Sequence, residues 1–111
     1  MAERIENALI RSVWLGIEDH GLLSAFVHLD YGNAGQGFGG YNLGCTGANY
    51  CGLFVRRTLE VVGSDDWAKL VGKPCRAKIA DGLVVAIGHF LDDKWFKAGD
   101  ELRALEMKVS T

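Results

Sequence analysis

The sequence predicts an α+β domain in which an antiparallel sheet of about five strands, built from hairpins, carries two helices packed on one face. Three observations lead there. Two β-type runs flank the polar turn Glu18-Asp19-His20-Gly21, and two more flank Asp81-Gly82, a dipeptide whose turn matches strand twist. Between the two hairpins lies a stretch of helical periodicity, from Ala48 to Val62, closed by Gly63. No helix separates the first three strands, which excludes parallel crossover topology.

The first strand spans Ala8 to Ile17, rich in Leu, Ile, Val and Trp, and the second Leu22 to Tyr31. Period-two alternation puts Leu23, Ala25, Val27, Leu29 and Tyr31 on one apolar face. A glycine-rich third strand follows, reaching Leu43. The helix 48–62 takes Thr46 or Asn49 as its N-cap. Cys51, Phe54, Val55, Thr58 and Val62 recur at helical spacing toward the sheet, leaving Leu53, Arg56, Arg57 and Glu60 on the other side. Ser64 caps a short helix, Asp65 to Val71, anchored by Trp67 and Leu70. Cys75 to Ala80 and Leu83 to Phe90 form the second hairpin. Asp92 to Phe96 reads as a loop, and Gly99 to Lys108 as a closing helix on Leu102 and Leu105.

With 111 residues the chain makes one domain, 1–111. A formal charge of −2 with interspersed signs provides no basic field for long nucleic acid, so an anionic ligand must be met by a few local cations. Cys45, Cys51 and Cys75 are odd in number and lack C-x-x-C spacing, which fits free thiols in a reducing compartment. Met1 to Glu6 has no apolar leader core, and no apolar run is long enough to span a bilayer; the expectation is a cytoplasmic protein.

The stretch Gly35-Gln36-Gly37-Phe38-Gly39-Gly40-Tyr41 satisfies G-x-G-x-x-G, yet the helix begins about ten residues too late for a dinucleotide fold. Two readings remain for it. It is a tight turn, or it is an extended strand beside a pocket, where bare backbone allows close approach, Gln36 and Gly39 bond a ribose or base, and Phe38 and Tyr41 offer flat faces. Arg56 and Arg57 diverge by about 100° on a helix, so one can pair within the chain while the other meets a phosphate; the bland alternative is a solvated face paired with Glu60. His89 and Trp95 are candidates for a pocket rim or subunit interface. The three histidines lack metal-binding spacing, and neither serine nor cysteine stands in a nucleophile motif. No cofactor, metal or catalytic residue is expected. The enzyme alternative is a small nucleotide hydrolase using Asp19 and His20; a third reading is a protein-interaction module whose glycine stretch packs an edge strand against a partner.

At Glu18-Asp19-His20-Gly21, the glycine–aromatic stretch 35–41, Arg56-Arg57, Val61-Val62-Gly63 through Trp67, and Ile87-Gly88-His89 followed by Asp93-Lys94-Trp95-Phe96, the chain resembles small phage proteins, the first class of anti-Thoeris proteins. The resemblance spans Ile5 to Lys97. It implies a sponge that binds the cyclic ADP-ribose isomer released by a bacterial TIR-domain enzyme and sequesters it uncleaved in the host bacterial cytosol. It also implies a homo-oligomer, dimer or hexamer, with cyclic oligonucleotides as further ligands.

Overall fold

The computed structural model describes residues 3–32, 34–44 and 49–110, with side chains as far as 105. Six strands form one antiparallel sheet: β1 (Arg4–Ile17), β2 (Leu23–Tyr31), β3 (Ala34–Gly39), β4 (Pro74–Ala80), β5 (Leu83–Gly88) and β6 (Trp95–Phe96), in spatial order β3-β2-β1-β4-β5-β6. Two helices, α1 (Tyr50–Val62) and α2 (Ala98–Ser110), pack against it and each other, α1 over β2, β5 and β6, and α2 beside β5.

Strand β1 is the spine. Its first half, Arg4 to Leu9, pairs with β4, and its second half, Leu9 to Ile17, pairs with β2. The two half-sheets are therefore offset along a shared strand. A bulge at Arg11, where register slips between Ile10 and Ser12, and another at Val85, between Lys78 and Ile79, add local twist. The sheet curls until β3 and β5 touch, although they are not hydrogen-bonded neighbours. The Gln36 side chain clasps the closure: its Nε2 donates to the Gly82 carbonyl, and its Oε1 accepts from the Val84 amide at 3.2 Å.

The concave side holds the core. The alternation in β2 is as expected, with Ala25, Val27, Leu29 and Tyr31 buried. Three aromatic rings from distant segments meet there: Phe38 lies 5.7 Å from Phe54, 22° from parallel, and Phe96 stands edge-on to both at 5.7 and 5.6 Å. Helix α1 starts at Asn49, whose side chain accepts from the Gly52 amide at 2.8 Å, and ends at Gly63 in the left-handed conformation, its amide on the Leu59 carbonyl. The expected start at Ala48, the alternative cap Thr46, and Cys45 lie outside the described residues. Phe54, Thr58 and Val62 face the sheet as expected, joined by Tyr50 and Val61, whereas Cys51 and Val55 are only half-buried. Burial pushes the Cys75 thiol up to about 12.

Several boundaries differ. β1 begins four residues earlier than its apolar run, because Arg4 to Asn7 pair with β4 while remaining largely solvated. β3 stops at Gly39 rather than Leu43, since Gly39 and Gly40 take φ of 124° and 80°. The expected helix 65–71 is a single tight turn, Ala68–Leu70, and β5 ends at Gly88. Trp95 and Phe96, read as loop, form the sixth strand opposite Gly88 and Ile87. A two-residue strand has no periodicity to read, and this one exists because Gly88 leaves room for the Trp95 ring, 2.7 Å from where a Cβ would stand.

Two outcomes test this packing by chemical denaturation. A Cβ on Gly39 would meet the Ala25 carbonyl oxygen at 2.4 Å, whereas one on Gly40 meets nothing within 4 Å. Gly39→Ala should therefore cost at least about 3 kcal/mol, from clash and backbone strain together, and Gly40→Ala only about 1–2 kcal/mol. The Thr58 hydroxyl is fully buried and has no hydrogen-bond partner among the described residues. Thr58→Val should stabilise the fold by about 1 kcal/mol, by removing an unsatisfied group.

Candidate functional site

Where the curl brings β3 against β5, a cleft of about 590 Å³ opens between the glycine strand, the β4–β5 hairpin and the first two turns of α2. Gln36, Gly37, Gly39, Gly40 and Tyr41 line one side, and Lys78, Lys97, Gly99, Asp100 and Arg103 the other. The register explains the bare wall. Gln36 and Phe38 pair with Leu29 and Val27 on the concave face, so Gly35 and Gly37 fall on the opposite face, whereas Gly39, at φ 124°, would aim a Cβ at Phe54 and lines the cleft with bare backbone. The stretch is thus extended from Ala34 to Gly39 and borders a cleft, with the chain turning at Gly39 and Gly40.

Three cations against two carboxylates, Glu3 and Asp100, make the cleft locally positive in a chain of net charge −2. Arg103 pairs with Asp100 at 2.7 Å, one helical turn apart. Lys97 forms no ion pair among the described residues, and its backbone amide is held by Glu101 Oε2 at 3.3 Å. Lys78 leans its ammonium over the Trp95 ring, 4.6 Å from the centroid. Tyr41 is half-buried against Phe54, at 6.3 Å between centroids, and burial raises its phenol above the ordinary value. It remains a neutral donor at the mouth of the cleft. Such a site can hold an anion with few charges and lay a flat group along exposed backbone.

Of the eight residues singled out from sequence, three line this cleft: Gln36, Gly39 and Tyr41. The Gln36 amide is already engaged by the β4–β5 hairpin at both ends, so it shapes the cleft rather than reading a base. Phe38 is fully buried and belongs to the aromatic core. Its ring has no free face for stacking. Arg56 and Arg57 lie away from the cleft, and both pair with Glu60, Arg56 at 3.3 Å and Arg57 at 3.0 Å.

Arg57 turns inward instead of lying on a solvated face. Its Nε donates to Glu101 at 2.7 Å and its Nη2 to the Trp95 carbonyl at 3.0 Å, tying α1 to β6 and α2. The Glu101 hydrogen bond is the main reason the guanidinium pKa rises further. His89 Nδ1 accepts the amides of Leu91 and Asp92 at 3.1 and 2.9 Å and shapes that loop. Trp95 lies across Gly88 with Arg76 at 5.0 Å from its ring and its indole N–H on Asp93.

The His20 ring is engaged by Glu18. His20 Nδ1 lies 3.2 Å from Glu18 Oε2, and Glu18 also accepts the His20 and Leu22 amides at 2.6 and 3.1 Å. These bonds hold the Glu18 carboxyl below its usual range, and it is Glu18, not Asp19, that stabilises the turn. Sequence reasoning missed Lys78, Lys97 and Arg103. Alternation along β4 carried a signal for Lys78, on the face opposite Cys75, Ala77 and Ile79; nothing local links Lys97 and Arg103 to a strand sixty residues earlier. Comparison of the chain with family models, with curated proteins and with solved structures finds no match.

The different settings of the two adjacent arginines are measurable as stability. Arg57→Ala should cost about 1.5–3 kcal/mol, as expected for charge-assisted bonds in a partly buried site, while Arg56→Ala, whose side chain is 80 % exposed, should stay within about 0.5 kcal/mol of wild type. Equal losses in urea denaturation would overturn this division of roles.

Proposed function

We propose that this protein binds and sequesters a compact anionic nucleotide of the cyclic ADP-ribose class, without cleaving it, as the resemblance to the anti-Thoeris proteins implies. The observation that carries the reading is the cleft: three cations concentrated in an otherwise acidic chain, facing a strand stripped of side chains on that side and flanked by a tyrosine. A volume of about 590 Å³ lies within the range that small-molecule sites occupy. Few cations suffice for a single pyrophosphate, and Gly37, Gly39 and Gly40 let a sugar or base approach the backbone. Two features favour binding over turnover. Glu18 holds His20 within its own turn, and the one strongly perturbed thiol among the described residues, Cys75, is shifted away from the reactive thiolate.

Action in the bacterial cytosol and assembly as a homo-oligomer, dimer or hexamer, belong to the same reading, as do cyclic oligonucleotides as further ligands. Exposed apolar side chains at the end of the β1–β2 hairpin, Leu15, Ile17 and Leu22, support self-association. Light scattering that finds a strict monomer at micromolar concentration counts against it.

The test is calorimetric titration with cyclic ADP-ribose and its isomers, followed by heating the complex and identifying what is released. Intact ligand is expected. Lys97→Ala and Arg103→Ala should each weaken binding by about 1.5–3 kcal/mol, roughly tenfold to hundredfold, with the melting temperature nearly unchanged, and Arg56→Ala should bind as wild type. A cleaved product, formed faster than without protein, would establish an enzyme instead; equal affinity in all three variants would remove the cleft from the mechanism.

A further inference from the structure

The convex face of the β1–β2 hairpin carries a second concavity, of about 230 Å³, lined in part by Trp14, Phe26, Leu22 and Glu18. Trp14 and Phe26 are opposite each other in register, with ring centroids 5.5 Å apart and planes 26° from parallel. Trp14 is 37 % exposed. A tryptophan stacked on a strand face but open to solvent offers a broad, rigid surface to a planar group at little entropic cost.

This concavity adjoins the cationic cleft. Gly40 and Tyr41 line both, and a side chain at Gly40 would meet nothing within 4 Å, so the space between them is open. Phe26 is paired with Gly39, and its ring lies 3.8 Å from where a Cβ on Gly37 would stand. The glycine strip therefore runs as a bare floor from the three cations to the Trp14–Phe26 stack. The two ends differ in chemistry. One is cationic, and the other is aromatic with a single carboxylate, Glu18, at its edge, which disfavours a second anionic group there.

We infer that the two concavities are subsites for one ligand, an anionic group held by Lys78, Lys97 and Arg103 and a flat aromatic ring seated beside Trp14 and Phe26, with Tyr41 between them. This rests on the anionic-ligand reading of the cleft and deepens it by assigning opposite ends of the ligand to different walls. It selects for molecules that join a phosphate to an uncharged heteroaromatic ring, and against those with an anion at each end.

Adenosine 5′-monophosphate, ribose 5-phosphate and adenosine, titrated calorimetrically into the full chain, separate the two subsites. The monophosphate should bind more tightly than either fragment. Trp14→Ala should weaken the monophosphate and adenosine by about tenfold, in the range of one lost stacking contact, and leave ribose 5-phosphate unchanged; Arg103→Ala should weaken the monophosphate and ribose 5-phosphate and leave adenosine unchanged. Trp14→Leu, which keeps an apolar wall without the ring, gives the same pattern should the alanine variant lower the melting temperature. Adenosine binding through Trp14 with no advantage for the monophosphate overturns the joined arrangement. Failure of both phosphate-bearing probes to bind overturns the cleft reading beneath it, and a Trp14 effect equal on all three probes shows a general loss of structure and overturns the ring subsite.

Discussion

Everything in this fold follows from one strand serving two partners. Because β1 gives its first half to β4 and its second half to β2, the half-sheets cannot lie side by side in a flat array. They are staggered along a common axis, and natural strand twist, increased by the bulges at Arg11 and Val85, turns that stagger into a curl. The curl has two products. Its concave side needs filling, which Phe38, Phe54 and Phe96 accomplish, and its convex side gains a seam where β3 meets β5 without strand pairing.

That seam is the candidate site, and its composition reflects the constraints on it. Two backbone groups of the β4–β5 hairpin, the Gly82 carbonyl and the Val84 amide, are met across the seam by the donor and the acceptor of the Gln36 side-chain amide. The side chains that would crowd the seam are missing at Gly37 and Gly39, and the second of these must also lie against the Ala25 carbonyl and Phe54. One residue type therefore meets two demands, packing from inside and access from outside. Arg57 performs the corresponding task on the helical layer, fixing α2 through Glu101 and β6 through the Trp95 carbonyl. The first two turns of α2, with Asp100 and Arg103, consequently have a defined place at the cleft.

The electrostatics are local. Net charge alone argues against attraction of anions, but within the cleft Lys78, Lys97 and Arg103 outnumber Glu3 and Asp100, while Glu60 and Glu101 are matched elsewhere by Arg56 and Arg57. Lys78 and Lys97 keep no such partner among the described residues. In a partly enclosed cleft their field is screened less than on an open surface. An anion entering there would meet donors already oriented by the fold.

Sequence by itself determined the α+β class, the two hairpins with their turns, a helix ending at Val62 before Gly63, with Asn49 as one of its two candidate caps, and the buried face of β2. These rest on periodicity and turn chemistry, which act between residues near in the chain. It also marked the glycine stretch as the place to look, and Gly39 and Tyr41 do line the cleft. Only the tertiary structure decided that Phe38 faces inward while Gly37 faces out, that Gln36 is a clasp, that Arg57 is a strut, and that Lys78, Lys97 and Arg103 converge on β3. Those assignments depend on strand register and on the curl of the sheet. Both are set by the offset pairing of β1 and by contacts between segments forty to sixty residues apart, which no local pattern encodes.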